Sequence, residues 1–270
     1  VRAAHLAGST RAAQNFWRLP ERDLARLLVL TGQIDRLELK VTVPPSDQEA
    51  TCVALGLVFP RTPAQHVYYL DTPDRALHRD GVILRARRIP RGPDDSVVKL
   101  RPLVPGELPA RLRDRRDLVV EVDGMPGQYV CSGAIKARRD AKNVKRAVDQ
   151  RGPLRALFTK PQLRLLATRA DNIDVNELML FGPVLAYRRR IRPDGFDGRL
   201  LAERWVYPDG SRILELSTRC APGEALRTAA GTAALMRRHG IDLTWPQQTK
   251  THVTLDFFAR QHRAARPPTG

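Results

Sequence analysis

D-R-L-E-L-K-V-T-V at residues 35–43, Y-Y-L-D-T-P-D-R-A-L-H-R-D-G-V-I-L-R-A-R-R at 68–88 and D-S-V-V-K-L-R-P-L at 95–103 share one pattern. Each contains a run in which apolar and polar residues alternate, the signature of a strand with two unlike faces. In the first, Leu37, Leu39, Val41 and Val43 fall on one side and Arg36, Glu38, Lys40 and Thr42 on the other. In the second, Arg85 and Arg87 share a face, because side chains two apart in a strand point the same way. Lys99 and Arg101 do so in the third. Three successive strands therefore present a charged, mostly cationic face. A half-exposed antiparallel sheet with its charged face in water has the same pattern.

Outward from this stretch, the alternation predicts strands at 36–43, 66–70, 82–88, 96–101, 117–123, 183–192, 200–207 and 211–219. Helices are expected at 21–30, at 46–55 with a Ser46/Glu49 capping box, at 154–170 with Pro161 as a possible interruption, and at 224–239. Residues 124–133 read as turn-rich, and 134–143 as a basic stretch that continues as helix through 144–150. Eight strands, five before this insert and three after it, can close so that their charged faces line a channel and helices cover the apolar outside. The expected fold is α+β: an eight-stranded antiparallel barrel over 35–258. An N-terminal extension with a short helix (1–34) precedes it, and a disordered basic tail (259–270) follows.

The formal net charge is +17 over 270 residues. Such a charge calls for an anionic partner, and nucleic acid, an anionic membrane surface and polyphosphate all qualify. No apolar run is long enough to span a bilayer. Cys52, Cys131 and Cys220 are too far apart in sequence for a metal-ligand spacing or a disulfide framework, which suggests reduced thiols and a cytoplasmic protein. There is no Walker A loop or dinucleotide fingerprint, and the six histidines lack metal-ligand spacing. Tyr68, Tyr69, Trp205 and Tyr207 read as core or sheet-face residues rather than a base-stacking platform.

The Glu-Leu-Lys strand, the 68–88 run and the V-V-K-L-R strand resemble, in this order, those of CYTH proteins, the triphosphate tunnel metalloenzymes. That family includes thiamine triphosphatases, inorganic triphosphatases and class IV adenylyl cyclases. The likeness continues more loosely to about Phe258. It implies an eight-stranded tunnel and a phosphate-binding role for Lys40, Arg85, Arg87, Lys99 and Arg101. Arg188 and Arg190 join them by alternation, although a one-residue slip would select Arg189 instead. Lys250 in Q-Q-T-K-T resembles a lysine that relatives carry near the C-terminus. Glu38 and Glu215 match the family's metal-binding glutamates. Glu121 and Asp123 match an acidic pair on a middle strand that holds either metal or a tunnel arginine, and Glu203 is a further candidate carboxylate.

Binding a polyanion takes several Arg or Lys, and cleaving it takes Mg²⁺ or Mn²⁺ held by carboxylates, substrate oxygens and water. The expected function is metal-dependent hydrolysis of a linear triphosphate or polyphosphate, with Glu38, Lys40 and Glu215 at the centre. The family's first strand usually reads Glu-x-Glu-x-Lys. Here Arg36 replaces the first glutamate, and Ile213 and Ser217 flank Glu215. Non-catalytic binding of polyphosphate or a nucleotide is therefore an alternative. Nucleic-acid binding through 136–146 is a less favoured one. A cyclase would need an adenine pocket that the sequence does not reveal.

Overall fold

The protein's structure, a computed structural model, describes residues 26–27, 29–59, 64–90 and 92–264. Nine strands form one closed barrel: β1 (Arg36–Val43), β2 (Gln65–Asp71), β3 (Val82–Arg88), β4 (Asp94–Leu100), β5 (Leu118–Met125), β6 (Gln128–Arg139), β7 (Met179–Ile191), β8 (Leu200–Val206) and β9 (Arg212–Cys220). Their order around the wall is β1-β5-β6-β4-β3-β2-β7-β8-β9, with β9 pairing back to β1. Neighbours are antiparallel except β1 and β5, which run parallel with Glu38 opposite Asp123.

Two expectations are corrected here. The barrel has nine strands rather than eight, because β6 occupies the stretch read as turns and a basic run. It is also not wholly antiparallel. A parallel pair needs a long crossover, and β2, β3 and β4 all lie between β1 and β5 in the chain.

The alternation in β1 divides inside from outside. Leu37, Leu39, Val41 and Val43 are buried on the outer side in one large apolar cluster. The helix Ala225–Arg238 contributes Ala229, Ala233 and Met236 to that cluster, against β1 and β9. Small residues let this helix approach closely, and each fully buried Leu or Val contributes about 1.5–3 kcal/mol. The helix Lys160–Leu166 is fixed by a polar anchor. Gln162 is buried, and its Nε2 donates to the carbonyls of Ser96 and Ile135, both at 3.0 Å. Thr159 and Gln162 form a capping box there, and Pro161 lies in the first turn. The single helix expected over 154–170 is thus two pieces, and Pro161 opens the second rather than interrupting the first. The Ser46/Glu49 box is absent: residues 45–47 form a 3₁₀ turn, and no side chain caps the helix Gln48–Ala54.

One end of the barrel is closed by the helix Lys250–Ala264. Its Leu255, Phe257, Phe258 and Ala259 pack on Val67, Tyr69, Ile83, Val184, Ala186 and Trp205. These lie on the inward face, since Tyr69 is opposite Arg85 and Val67 opposite Arg87. Just before the helix, the Gln247 amide caps β1, its Oε1 accepting from the Thr42 N–H at 2.7 Å. Residues 259–264, assigned from sequence to a disordered tail, are helical. Residues 265–270, and 1–25 of the expected extension, lie outside the described residues; of the expected 21–30 helix, 26–27 and 29–30 are described and helical.

Candidate functional site

Strand register brings the charged faces together inside the barrel. Arg36 is opposite Glu121, Glu38 is opposite both Asp123 and Arg219, and Glu203 is opposite both Arg188 and Glu215. Two ion-pair centres result.

The first surrounds β1 and β5. Lys40 Nζ bridges Glu38 at 3.0 Å and Asp123 at 2.8 Å. Lys99 Nζ bridges Glu121 and Asp123, both at 3.1 Å. Arg36 Nε donates to Glu121 at 2.8 Å, Arg101 lies 3.3 Å from Asp123, and Arg219 lies 3.1 Å from Glu38. Asp123 is fully buried. Burial opposes its charge, but Lys40, Lys99 and Arg101 outweigh it and hold the carboxyl well below the usual range. The same contest lowers Glu121, mainly through Lys99. Burial also opposes the charge on Lys40, yet Asp123, Glu38 and Glu215 keep its ammonium well above the ordinary lysine value.

The second centre lies nearer the closed end. Lys250, the first residue of the closing helix, forms an ion pair with Glu203 and lies 2.8 Å from Glu215. Its Nζ is 5.1 Å from the Trp205 ring centroid, in cation–π range. Arg188 pairs with Glu203 at 2.8 Å. Burial is again overcome: Lys250 and Arg188 hold Glu203 well below its ordinary value, and Glu203 and Glu215 raise Lys250. Arg87 is clamped by Asp95 through Nε at 2.9 Å and Nη2 at 2.5 Å. By contrast, Arg85 has a buried Nε without a hydrogen-bond partner.

Toward the open end, a cavity of about 290 Å³ is lined by Glu38, Arg188, Arg190, Arg199, Ser217 and Arg219. Arg188 and Arg190 thus share the inner face, whereas Arg189 is opposite the outward-facing Ala202. At the closed end, Arg101 also lines a second cavity of about 400 Å³ with His78, Gln128, Gln247 and His252.

The candidate phosphate-binding and carboxylate residues on the strands share the barrel's inner face, Arg101 reaches Asp123 from just after β4, and Lys250 reaches in from the closing helix. The grouping differs from expectation in one respect. Among the described residues, the carboxylates close enough to share an ion are Glu38, Glu121 and Asp123, with ligand oxygens within 4.8 Å of one another. Glu215 is instead grouped with Glu203 around Lys250. Arg219 and Asp95 were missed, although alternation could have found both: Arg219 follows Glu215 and Ser217 on one face, and Asp95 precedes Val97 and Lys99. Arg199, in the loop before β8, carries no such signal. Tyr68, Tyr69, Trp205 and Tyr207 are buried, as core residues should be.

Fold and site together define a closed barrel with a cation-lined interior, plugged at one end. No family model matches the chain, and no curated protein matches it by sequence. Among solved structures it is similar to a Bacillus halodurans protein proposed to be an adenylate cyclase, at 14% identity and a TM-score of 0.57, covering 82% of this chain and 97% of that one. It is similar also to HpAC1 of Hippeastrum, proposed as an adenylyl cyclase and described as having a dominant triphosphatase activity. That match has 15% identity and a TM-score of 0.57, covering 86% of this chain and 97% of the other. At these identities the likeness is one of fold. The fold is of CYTH type, in agreement with the resemblance carried by residues 35–101.

Proposed function

We propose that the barrel binds a linear triphosphate or polyphosphate and hydrolyses it with Mg²⁺ or Mn²⁺. The observation that carries this reading is the buried trio Glu38, Glu121 and Asp123 inside a cation-rich barrel where Arg85 keeps an unpaired guanidinium Nε. An oxygen-only donor set suits a hard divalent ion. Glu38 would hold it with Asp123 and Glu121; Glu215, a metal ligand by family resemblance, would instead keep Lys250 charged. When bound, the ion would supply Lewis acidity toward a phosphoryl oxygen. The protein's own groups do the rest. Arg85, Arg188 and Arg190 offer planar forks to phosphate oxygens. Lys40 and Lys99 can pass from carboxylates to phosphates and neutralise charge as it develops. The closing helix and its apolar face exclude water from one end.

Phosphate release from tripolyphosphate, nucleoside triphosphates, thiamine triphosphate and long-chain polyphosphate tests this, with Mg²⁺, with Mn²⁺ and with chelator. Release from at least one substrate, lost with chelator, is expected; no release from any of them would overturn hydrolysis. Arg36 favours a second reading. It pairs with Glu121 and adds a cation beside the trio, as a non-catalytic polyphosphate or nucleotide binder would tolerate. Under that reading, tripolyphosphate raises the melting temperature and no phosphate is released.

A further inference from the structure

Between residues 136 and 169 the chain holds eleven Lys and Arg against two Asp, which is more than half of its formal charge of +17. The barrel interior does not use most of these cations. Lys136 is 3.0 Å from Asp95, the residue that clamps Arg87, and its side chain is 58% exposed. Arg138 is opposite Asp95 in the register, so this pair of cations marks the rim of the open end. The chain then turns directly into the helix Ala141–Val148, which buries Val144 and Ala147 against the outer wall near β3. Lys145 and Arg146 are exposed, and with Asp149 and Arg151 they line a concave surface of about 590 Å³. Lys145, Arg146 and Arg151 have no ion pair among the described residues. The chain therefore carries basic residues from the rim into an exposed helix on the outside of the barrel.

We infer that this surface is a track for long-chain polyphosphate, which lies along it and feeds the open end; the inference rests on the phosphate-binding reading of the barrel. A short anion inside the barrel has no need of the outer cations, whereas a chain leaving the rim passes Lys136 and Arg138 and then Lys145, Arg146 and Arg151. The occupant is a chain without bases. Single-stranded nucleic acids are held by aromatic rings on which bases stack, and the only aromatic residue in 136–169, Phe158, is buried.

The experiment compares the parent with the variant Lys145→Gln/Arg146→Gln/Arg151→Gln, by calorimetry, against tripolyphosphate and against a polyphosphate of several tens of phosphates. All three side chains are exposed, so an unchanged melting temperature is expected. The variant should lose about tenfold or more in affinity for the long chain while its tripolyphosphate affinity stays within about twofold. The loss should narrow as salt rises, because these contacts release counterions. Equal long-chain affinity for parent and variant, with tripolyphosphate still bound, overturns the track and leaves the barrel reading intact. Absence of tripolyphosphate binding in the parent overturns the barrel reading itself. Displacement of the long chain by duplex DNA at an equal phosphate concentration, lost in the variant, overturns polyphosphate as the occupant and assigns the surface to nucleic acid.

Discussion

Arg36 and Asp123 show how differently two charges in one network act. Arg36 is partly exposed at the rim, and its pair with Glu121 contributes about 0–1 kcal/mol after solvent screening. Its electrostatic effect on an ion beside Glu38 is larger, since like charges 4 Å apart repel by about 4 kcal/mol at an effective dielectric near 20. Arg36→Glu should therefore strengthen Mn²⁺ binding in calorimetry by about tenfold or more, while the metal-free variant loses stability through the new carboxylate beside Glu121, and Glu38→Ala should abolish the binding. Unchanged affinity in Arg36→Glu would place Arg36 outside the metal site. Asp123 has no exposure and pairs with three cations. Asp123→Ala leaves Lys40 and Lys99 with one carboxylate each, Glu38 and Glu121, and Arg101 without its carboxylate, at a cost of about 3–5 kcal/mol in urea unfolding; a loss below about 1 kcal/mol would mean that Glu38, Glu121 and entering water compensate them. The charged faces of these residues were legible because alternation is local. Their partners were not, because the β1–β5 register joins segments 85 residues apart and leaves no trace in either one's periodicity.

Among the elements, β6 and the closing helix were illegible for separate reasons. β6 carries Ser132, Gly133 and Ala134 at its centre, so it lacks the β-branched alternation that marks a strand. A Cβ at Gly133 would meet Leu103 Cδ2 at 2.7 Å, so a larger residue there would push the leucine tip aside. In Lys250–Ala264 the apolar residues are bunched at Leu255, Phe257 and Phe258, which gives a poor helical stripe until a barrel interior exists to receive them. Lys250→Met tests what the helix contributes. Glu203, whose folded pKa is depressed, contributes stability above its unfolded value near 4.3 and loses it as pH falls through the lower folded value. Lys250, whose folded pKa is raised, contributes below about 10.4 and loses this as pH rises through the higher value. The variant should thus be least stable relative to the parent across neutral pH. The gap should shrink as pH falls below about 4.3 toward the lower folded value of Glu203. A gap independent of pH would assign the loss to packing alone.

For the whole molecule, the closed barrel with a charged inside and helices outside was legible, because three alternating strands with one cationic face each leave few ways to bury the other. The strand count and the parallel pair were not. A ligand of the folded state stabilises by mass action, by about 2.7 kcal/mol at a hundredfold excess over its dissociation constant. Tripolyphosphate should therefore raise the melting temperature. Arg85→Ala should reduce that shift more than Arg87→Ala, since Asp95 already occupies the Arg87 guanidinium. Equal reductions would mean that Asp95 releases Arg87 to the anion.

The β9–β1 seam also constrains how the chain is made. Leu37 pairs with Cys220, about 180 residues later. At roughly 5–20 residues per second, β1 waits on the order of 10–40 s on the ribosome for that partner. β5 arrives sooner and can cover one edge of β1, but the other stays open to any extended neighbour until β9 emerges. Lys250 follows later still, so Glu203 and Glu215 face each other without their ammonium until almost the last described residues leave the exit tunnel. The nascent barrel thus keeps an open strand edge until β9 pairs with β1, and two opposed carboxylates until the closing helix follows.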